Sequence, residues 1–500
     1  MLLKPRKNDY QIIGYYSGII LIGLGFLMIV PFITAILFSE WNCALDYVIG
    51  MGICLSTGYG LRIACYTNRD LHWYHGMVVA AVSWFLATIL GAVPYWLSGY
   101  FNSYLDACFD MMSGYTTTGL VLIQDINHLP HSLNMWRHIL TYVGGQGIIV
   151  VALTFLMKSI PGAYRMYVGE GKDERLLPNV VQTARAIWII SIAYLVIGSL
   201  VLWGILYYIG LSPVRSLLHS LWLFMGAWST GGFTPQSQNI LYYHSLSIEV
   251  ITCIISIVGS LNFALHYVVW KKGYKEIYRN IETFSFSLTV VISFIILSMG
   301  LKRGAIFPHF FACFRKGFYT IISAHTTTGN MTIYGRQLVT EWGPLAMLGI
   351  ILAMSIGGSA SSTAGGFKGL RMGIIFKGLF EDIKKMINPD SAVIIEKIHH
   401  IKDISLDDKL VRSASIIVMS FVGSYALGTL IGTFYNYPVL SALFESVSAG
   451  SNSGWTCGIT SVSMPVLLKV VYIFQMWVGR LEFISIFTLI GFLYAGITGR

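Results

Sequence analysis

Apolar runs of about twenty residues or more recur along this 500-residue chain, and they leave it little choice of solvent. Ten are expected to span a bilayer, at 11–38, 46–66, 75–99, 135–157, 185–209, 247–270, 282–300, 343–380, 411–434 and 463–499. The eighth and tenth exceed what one span requires and are expected to be tilted, kinked or broken. Hydrophobic residues make up 55% of the chain and charged residues 11%, against about 25% charge in a soluble domain. So much apolar surface cannot be hidden inside a water-soluble globule of this size. The first run resembles a signal peptide in its basic start, at Lys4, Arg6 and Lys7. It is too long for one and has no clean small-residue cleavage site, so it reads as an uncleaved first helix.

The net charge of +10 raises nucleic acid as a partner. No basic stripe interleaved with aromatics supports that reading. With the N-terminus in the cytoplasm and sides alternated, 24 of the 33 basic residues fall on cytoplasmic segments and seven on outer ones. That asymmetry favours both termini inside. The seven cysteines form no CxxC pair, so buried, inert thiols are expected in place of disulfides or zinc.

The outer connections at 100–134, 210–246, 301–342 and 435–462 each hold a short apolar helix and then a Gly/Ser/Thr patch. Such segments are too short to span and read as re-entrant pore helices, tolerated at membrane depth only when buried in protein or lining water. The patches align as Ser113–Leu120, Gly226–Phe233, Ser323–Asn330 and Ser448–Trp455, sharing Gly119, Gly232, Gly329 and Gly454. A repeat of this length decides architecture first. The fold class expected is an all-α polytopic membrane protein: two leading spans (1–72), then four helix–pore helix–helix repeats around a pseudo-fourfold pore. The repeats run 73–170, 171–280, 281–400 (with a gate loop) and 401–500.

The chemistry that suits such a ring is dehydration of a cation. A bare ion in a membrane needs a substitute for its water, and inward-aimed backbone carbonyls supply one. Glycine permits the required backbone angles and leaves room. Pore helices aim their partially negative C-termini at the site. Close helix packing through small residues would explain one or two patches, not four at one place in the topology.

Other polar residues stand out within the apolar runs. Asp110 and Glu445, three residues before the aligned serines, read equally as negative potential near the pore or as anchors behind the filter. Arg480 lies inside the last span and suits a position below the filter, the alternative being a salt bridge with Glu482. The stretch 357–368, Gly-Gly-Ser-Ala-Ser-Ser-Thr-Ala-Gly-Gly-Phe-Lys, interrupts the eighth span. It lacks the order of a phosphate loop and reads as a gate in preference to a simple kink. Arg137, Asn262 and His266 are expected in structural roles. An alternating-access carrier would show inverted repeats, whereas these four units run in one direction. A membrane enzyme is not expected, because the histidines are scattered and no HExxH occurs.

Together with GGQGIIV at 144–150, NFALHY at 262–267 and GRLE at 479–482, these features resemble the Trk/Ktr/HKT superfamily of potassium transporters, and within it the TrkH/TrkG branch. The resemblance covers nearly the whole chain. It implies a selectivity filter at Thr117, Thr118, Gly119, Thr230, Gly231, Gly232, Thr327, Thr328, Gly329, Ser453 and Gly454. Potassium would bind at Thr117, Thr118, Thr230, Gly231, Thr327, Thr328, Asn452 and Ser453. A gate of Gly357, Gly358, Ser359, Thr363, Gly365 and Gly366 would work with Arg480. The family's sodium-admitting relatives can carry serine at the first filter glycine, so Gly119 favours potassium. Also implied are a homodimer in the bacterial inner membrane and a cytoplasmic nucleotide-binding ring of TrkA type. That ring would dock on the basic loops 158–185 and 381–410, with no organic cofactor in this chain. The alternative is a proton- or sodium-coupled potassium symporter. Two departures from the family pattern are Asn452-Ser453-Gly454-Trp455, in place of a TVGL-like run, and the additional glycine Gly231.

Overall fold

The computed structural model describes residues 4–69, 71–123, 125–147, 150, 168, 180–307, 309–389 and 396–499. Among these residues the regular elements are helices apart from one antiparallel hairpin, Lys397–His400 paired with Lys402–Ser405. Seven helical stretches are long and apolar enough to cross a membrane, and two bent pairs raise that to nine. Large apolar side chains such as Ile63, Phe284, Met419 and Leu430 stand exposed along these helices, as lipid-facing positions require.

The leading pair, Lys7–Leu27 continued by Ile29–Leu37 and then Trp41–Ala64, packs backbone to backbone. A Cβ on Gly18 would sit 2.7 Å from the Gly58 carbonyl, and one on Gly58 would sit 2.9 Å from that of Gly18. Small residues facing each other let apolar helices gain dispersion contact where no hydrophobic driving force exists. The next span is Trp73–Leu97. The four short helices Tyr104–Tyr115, Pro213–Trp228, Phe310–His325 and Val439–Gly450 are the expected pore helices. Each is followed by a return segment and another helix. The first is started by Ser103, whose hydroxyl accepts from Asp106 N at 3.1 Å.

The long eighth and tenth runs are broken, as their length predicts. The eighth divides into Gly343–Ile356 and Gly369–Ile387 around a non-helical 357–368. The tenth divides into Val466–Arg480 and Ile484–Thr498, bent by 110°. The bend is made by Glu482 (φ 53°) and Phe483 (φ 68°), both left-handed. The sixth run, 247–270, was expected as one continuous span and is not one: Leu246–Ser260 and the following helix from Phe263 meet at 97°. Tertiary partners make that break. Ser260 O accepts from Ser359 N at 3.0 Å, and Phe263 N donates to Ser361 O at 3.3 Å. Asn262 caps the new helix by accepting from Ala264 N at 2.7 Å. Of the fourth expected span, the helix His131–Gln146 is described; most of the rest of that span and most of the loop 158–185 lie outside the described residues.

Candidate ion-conducting site

Every pore helix ends in the same way. The N–H of Thr118, Gly231, Thr328 and Ser453 donates back to the carbonyl of Ser113, Gly226, Ser323 and Ser448, at 2.8, 2.9, 2.8 and 2.9 Å. One residue earlier, Thr117, Thr230, Thr327 and Asn452 donate to Gly114, Ala227, Ala324 and Ala449 at 3.1, 3.2, 3.1 and 3.3 Å. This pair of bonds is a Schellman motif, which requires a left-handed residue just past the helix end. Glycine usually fills that place. Here it is Thr117 (φ 55°), Thr230 (φ 52°), Thr327 (φ 53°) and Asn452 (φ 56°). Two residues on, Gly119, Gly232, Gly329 and Gly454 also have positive φ, at 93°, 63°, 77° and 75°.

These turns meet in a closed ring. A Cβ added to Gly119 would lie 2.6 Å from the Gly231 carbonyl oxygen. One on Gly232 would overlap the carbonyl of Thr328, one on Gly329 that of Ser453, and one on Gly454 that of Thr118. The contacts therefore run from repeat one to two to three to four and back to one. The four carbonyl oxygens of Thr118, Gly231, Thr328 and Ser453 occupy equivalent places at the seams. The filter residues expected from sequence are buried here except Gly119, which is half-buried, and the structure brings them all together.

Side chains fix the ring from behind. Asp110 Oδ1 accepts from Leu122 N at 2.7 Å. Glu445 Oε1 accepts from Cys457 N at 2.9 Å and Ile459 N at 3.1 Å, and Oε2 from the Thr460 hydroxyl at 2.6 Å. Both acids thus take the anchoring role, holding the segment that leaves each filter turn. Asn452 Nδ2 donates across the ring to Thr118 Oγ1 at 3.0 Å and to Met476 O at 2.8 Å. Of the remaining polar residues, Arg137 lies 4.4 Å over the Phe233 ring and His266 Nε2 is 3.0 Å from Val258 O. These are the expected structural roles.

The segment 357–368 lies directly against the helix-end side of this ring. Thr363 Oγ1 donates to Gly259 O at 2.8 Å and is 3.1 Å from Thr230 Oγ1. Gly365 N donates to Thr327 Oγ1 at 2.7 Å. A Cβ on Gly365 would overlap the Ser451 carbonyl, and Thr117 Oγ1 is 3.5 Å from Thr363 O. The loop thus touches the end of all four pore helices. Its base is laced by Phe367 N to Ser355 O, Lys368 N to Ile356 O and Gly369 N to Gly358 O, each 2.9 Å. Close crossing of the two strands of the loop needs Gly357 and Gly366, both at positive φ.

Arg480 joins the loop to the ring. Its Nη1 donates to Thr363 O at 2.6 Å and reaches Thr117 Oγ1 at 3.4 Å. Its Nη2 donates to Gly144 O and Gly145 O at 2.6 and 2.9 Å. Glu482 forms ion pairs with Arg371 and, at 3.8 Å, with Lys368. Sequence reasoning quoted the Gly144-Gly145 motif without giving it a role. It passed over Lys368, which reaches Ala364 O, and Glu282, which accepts from Ala360 N at 2.6 Å. An acid opening an otherwise apolar run was the available sign of Glu282.

The chain is similar to known proteins. The family model described as TrkH, cation transport protein, matches residues 46–307 and 312–493. An uncharacterized cation transporter of Methanocaldococcus jannaschii is 33% identical over 99% of this chain and 98% of its own. The Trk system potassium uptake protein TrkG of Escherichia coli is 26% identical over 95% of this chain and 97% of its own. The crystal structure of the potassium transporter TrkH from Vibrio parahaemolyticus has the same fold, with a TM-score of 0.78 at 23% identity over 96% of this chain and 98% of that one. With the family model matched over nearly its whole length, the chain belongs to the TrkH family of cation transport proteins.

Proposed function

We propose that this chain is the conducting subunit of a potassium uptake system. Ions enter along the axis of the four pore helices and shed water at the ring. They are held there by the carbonyls of Thr118, Gly231, Thr328 and Ser453 and by the side-chain oxygens one residue earlier. The observation that carries the reading is the closed ring, in which each glycine abuts the carbonyl of the next repeat. Potassium as the ion is supported by the names of the Trk relatives. Inward movement needs no coupled ion, because the membrane potential supplies about 2.3 kcal/mol per charge per 100 mV.

The loop 357–366 is the gate and Arg480 its latch to the ring. The contacts of the loop with the ends of all four pore helices support reading this arrangement as the closed state. The domain boundaries given above, a homodimer, and a nucleotide-binding regulatory subunit on the basic face belong to the same proposal. So do the bacterial inner membrane and both termini in the cytoplasm, supported by the distribution of Lys and Arg. Fluxes of potassium, rubidium and sodium into proteoliposomes test it. Wild type should prefer potassium and rubidium over sodium, and Gly119→Ser should erode that preference. Equal selectivity in the two proteins would remove the filter assignment.

A further inference from the structure

A line of polar groups connects the loop 357–368 to the surface hairpin Lys397–Ser405. The helix Ile281–Arg303 is capped by Asn280, whose Oδ1 accepts from Glu282 N at 2.9 Å. Glu282 is buried to 2% exposure. Its Oε1 accepts from Ala360 N at 2.6 Å, and its Oε2 lies 3.7 Å from His400 Nδ1. His400 ends the first strand of the hairpin, is itself buried, and is 3.4 Å from Asn280 Oδ1. Its neighbour His399 points the other way, 2.6 Å from Glu276 and 2.6 Å from Asp403. The two adjacent histidines thus clip the hairpin to both sides of the turn that precedes the helix Ile281–Arg303.

We propose that Glu282 is the positioning residue that holds the gate loop against the filter, and that the hairpin sets its grip through His400. A buried carboxylate is held in place only while partners compensate it. Ala360 N–H supplies a charge-assisted bond on one oxygen, and His400 faces the other. Lifting the hairpin removes His400, lets Glu282 turn toward water and frees the loop segment bearing Ala360. The remaining backbone bonds of that segment, Ser359 N to Ser260 O and Ser361 O to Phe263 N, run to the bend of the sixth run. Among the described residues, Glu282 is a side chain that contacts both this segment and the hairpin. The inference rests on the gate reading above.

Rubidium flux into proteoliposomes holding the full-length protein tests it. Glu282→Ala should raise flux about tenfold, which corresponds to about 1.4 kcal/mol. Glu282→Gln, which keeps an oxygen for the Ala360 N–H, should recover most of the restraint. His400→Ala should also raise flux, and the double variant should not exceed Glu282→Ala alone, because the two residues act in series. A purely structural role would lower flux and thermal stability together. Should Glu282→Ala not fold, His400→Ala carries the test, and wild-type flux in it overturns the proposal. Shortening 357–366 separates the two readings. No rise in flux on shortening refutes the gate, whereas a rise on shortening with none in Glu282→Ala refutes only the role given to Glu282.

Discussion

A non-glycine residue in the left-handed region costs about 1–2 kcal/mol, and this chain places one at the end of each pore helix. Such strain persists where the surroundings over-determine it. Here the side chains supply the reason: Thr327 accepts from Gly365 N, Thr230 contacts Thr363, and Asn452 Nδ2 donates to Thr118 Oγ1. Replacing Thr117 with glycine should therefore raise thermal stability in detergent by about 1 kcal/mol while weakening discrimination against sodium. A stability gain without loss of selectivity would separate the strain from function. At Gly454 the effect is the opposite, because an added Cβ overlaps the Thr118 backbone, which no side-chain motion relieves. Gly454→Ala should cut potassium flux at least tenfold, readable in the same vesicles, and normal flux would contradict the tight seam. Behind the ring, Glu445→Ala strips several donors of one acceptor and should lower stability by about 3 kcal/mol, measurable by thermal melting. The glycines were legible as a repeat, since one residue type recurs at one place in the topology. The left-handed threonines were not, because nothing in a Thr-Thr-Thr run tells which of the three turns back.

Helices broken at membrane depth are the main device at the next scale. The breaks at 357–368 and near Glu482 could be foreseen, because those runs are longer than a bilayer needs and the first is rich in glycine. The break after Ser260 could not. Its run is of ordinary span length, Ser-Leu-Asn contains neither glycine nor proline, and the bend is set by residues 359 and 361 a hundred positions away. Likewise, nothing periodic marked the hairpin Lys397–Ser405. Four-residue strands give too little pattern to read. Its chemistry makes a pH prediction. Asp403 and then Glu276 raise the pKa of His399 above its ordinary value. The stabilisation is therefore fully present below the unfolded histidine value of about 6.5 and is lost as pH rises through the raised folded one. Amide exchange over 397–405, corrected for its intrinsic pH dependence, should show less protection at pH 9 than at pH 6. Equal protection at both would mean that the charged form of His399 does not hold the hairpin.

At the scale of the whole molecule, four similar turns meet, and none of them alone could replace the water of an ion. A single turn offers one carbonyl at the seam, whereas closing the ring brings four together with the negative ends of four pore helices. Sequence made the architecture readable because the repeat and the apolar runs are both long-range patterns. Cyclic order and contact between turns were beyond it, since they depend on how helices from distant repeats pack. The central claim is that these four seams together replace the water of a potassium ion. Rubidium, which substitutes for potassium and scatters anomalously, can be located in crystals of the full-length protein. Rubidium is expected on the axis, in direct contact with the oxygens of Thr118, Gly231, Thr328 and Ser453. Rubidium bound elsewhere in a protein still competent for uptake, with the space between those oxygens empty, would contradict it.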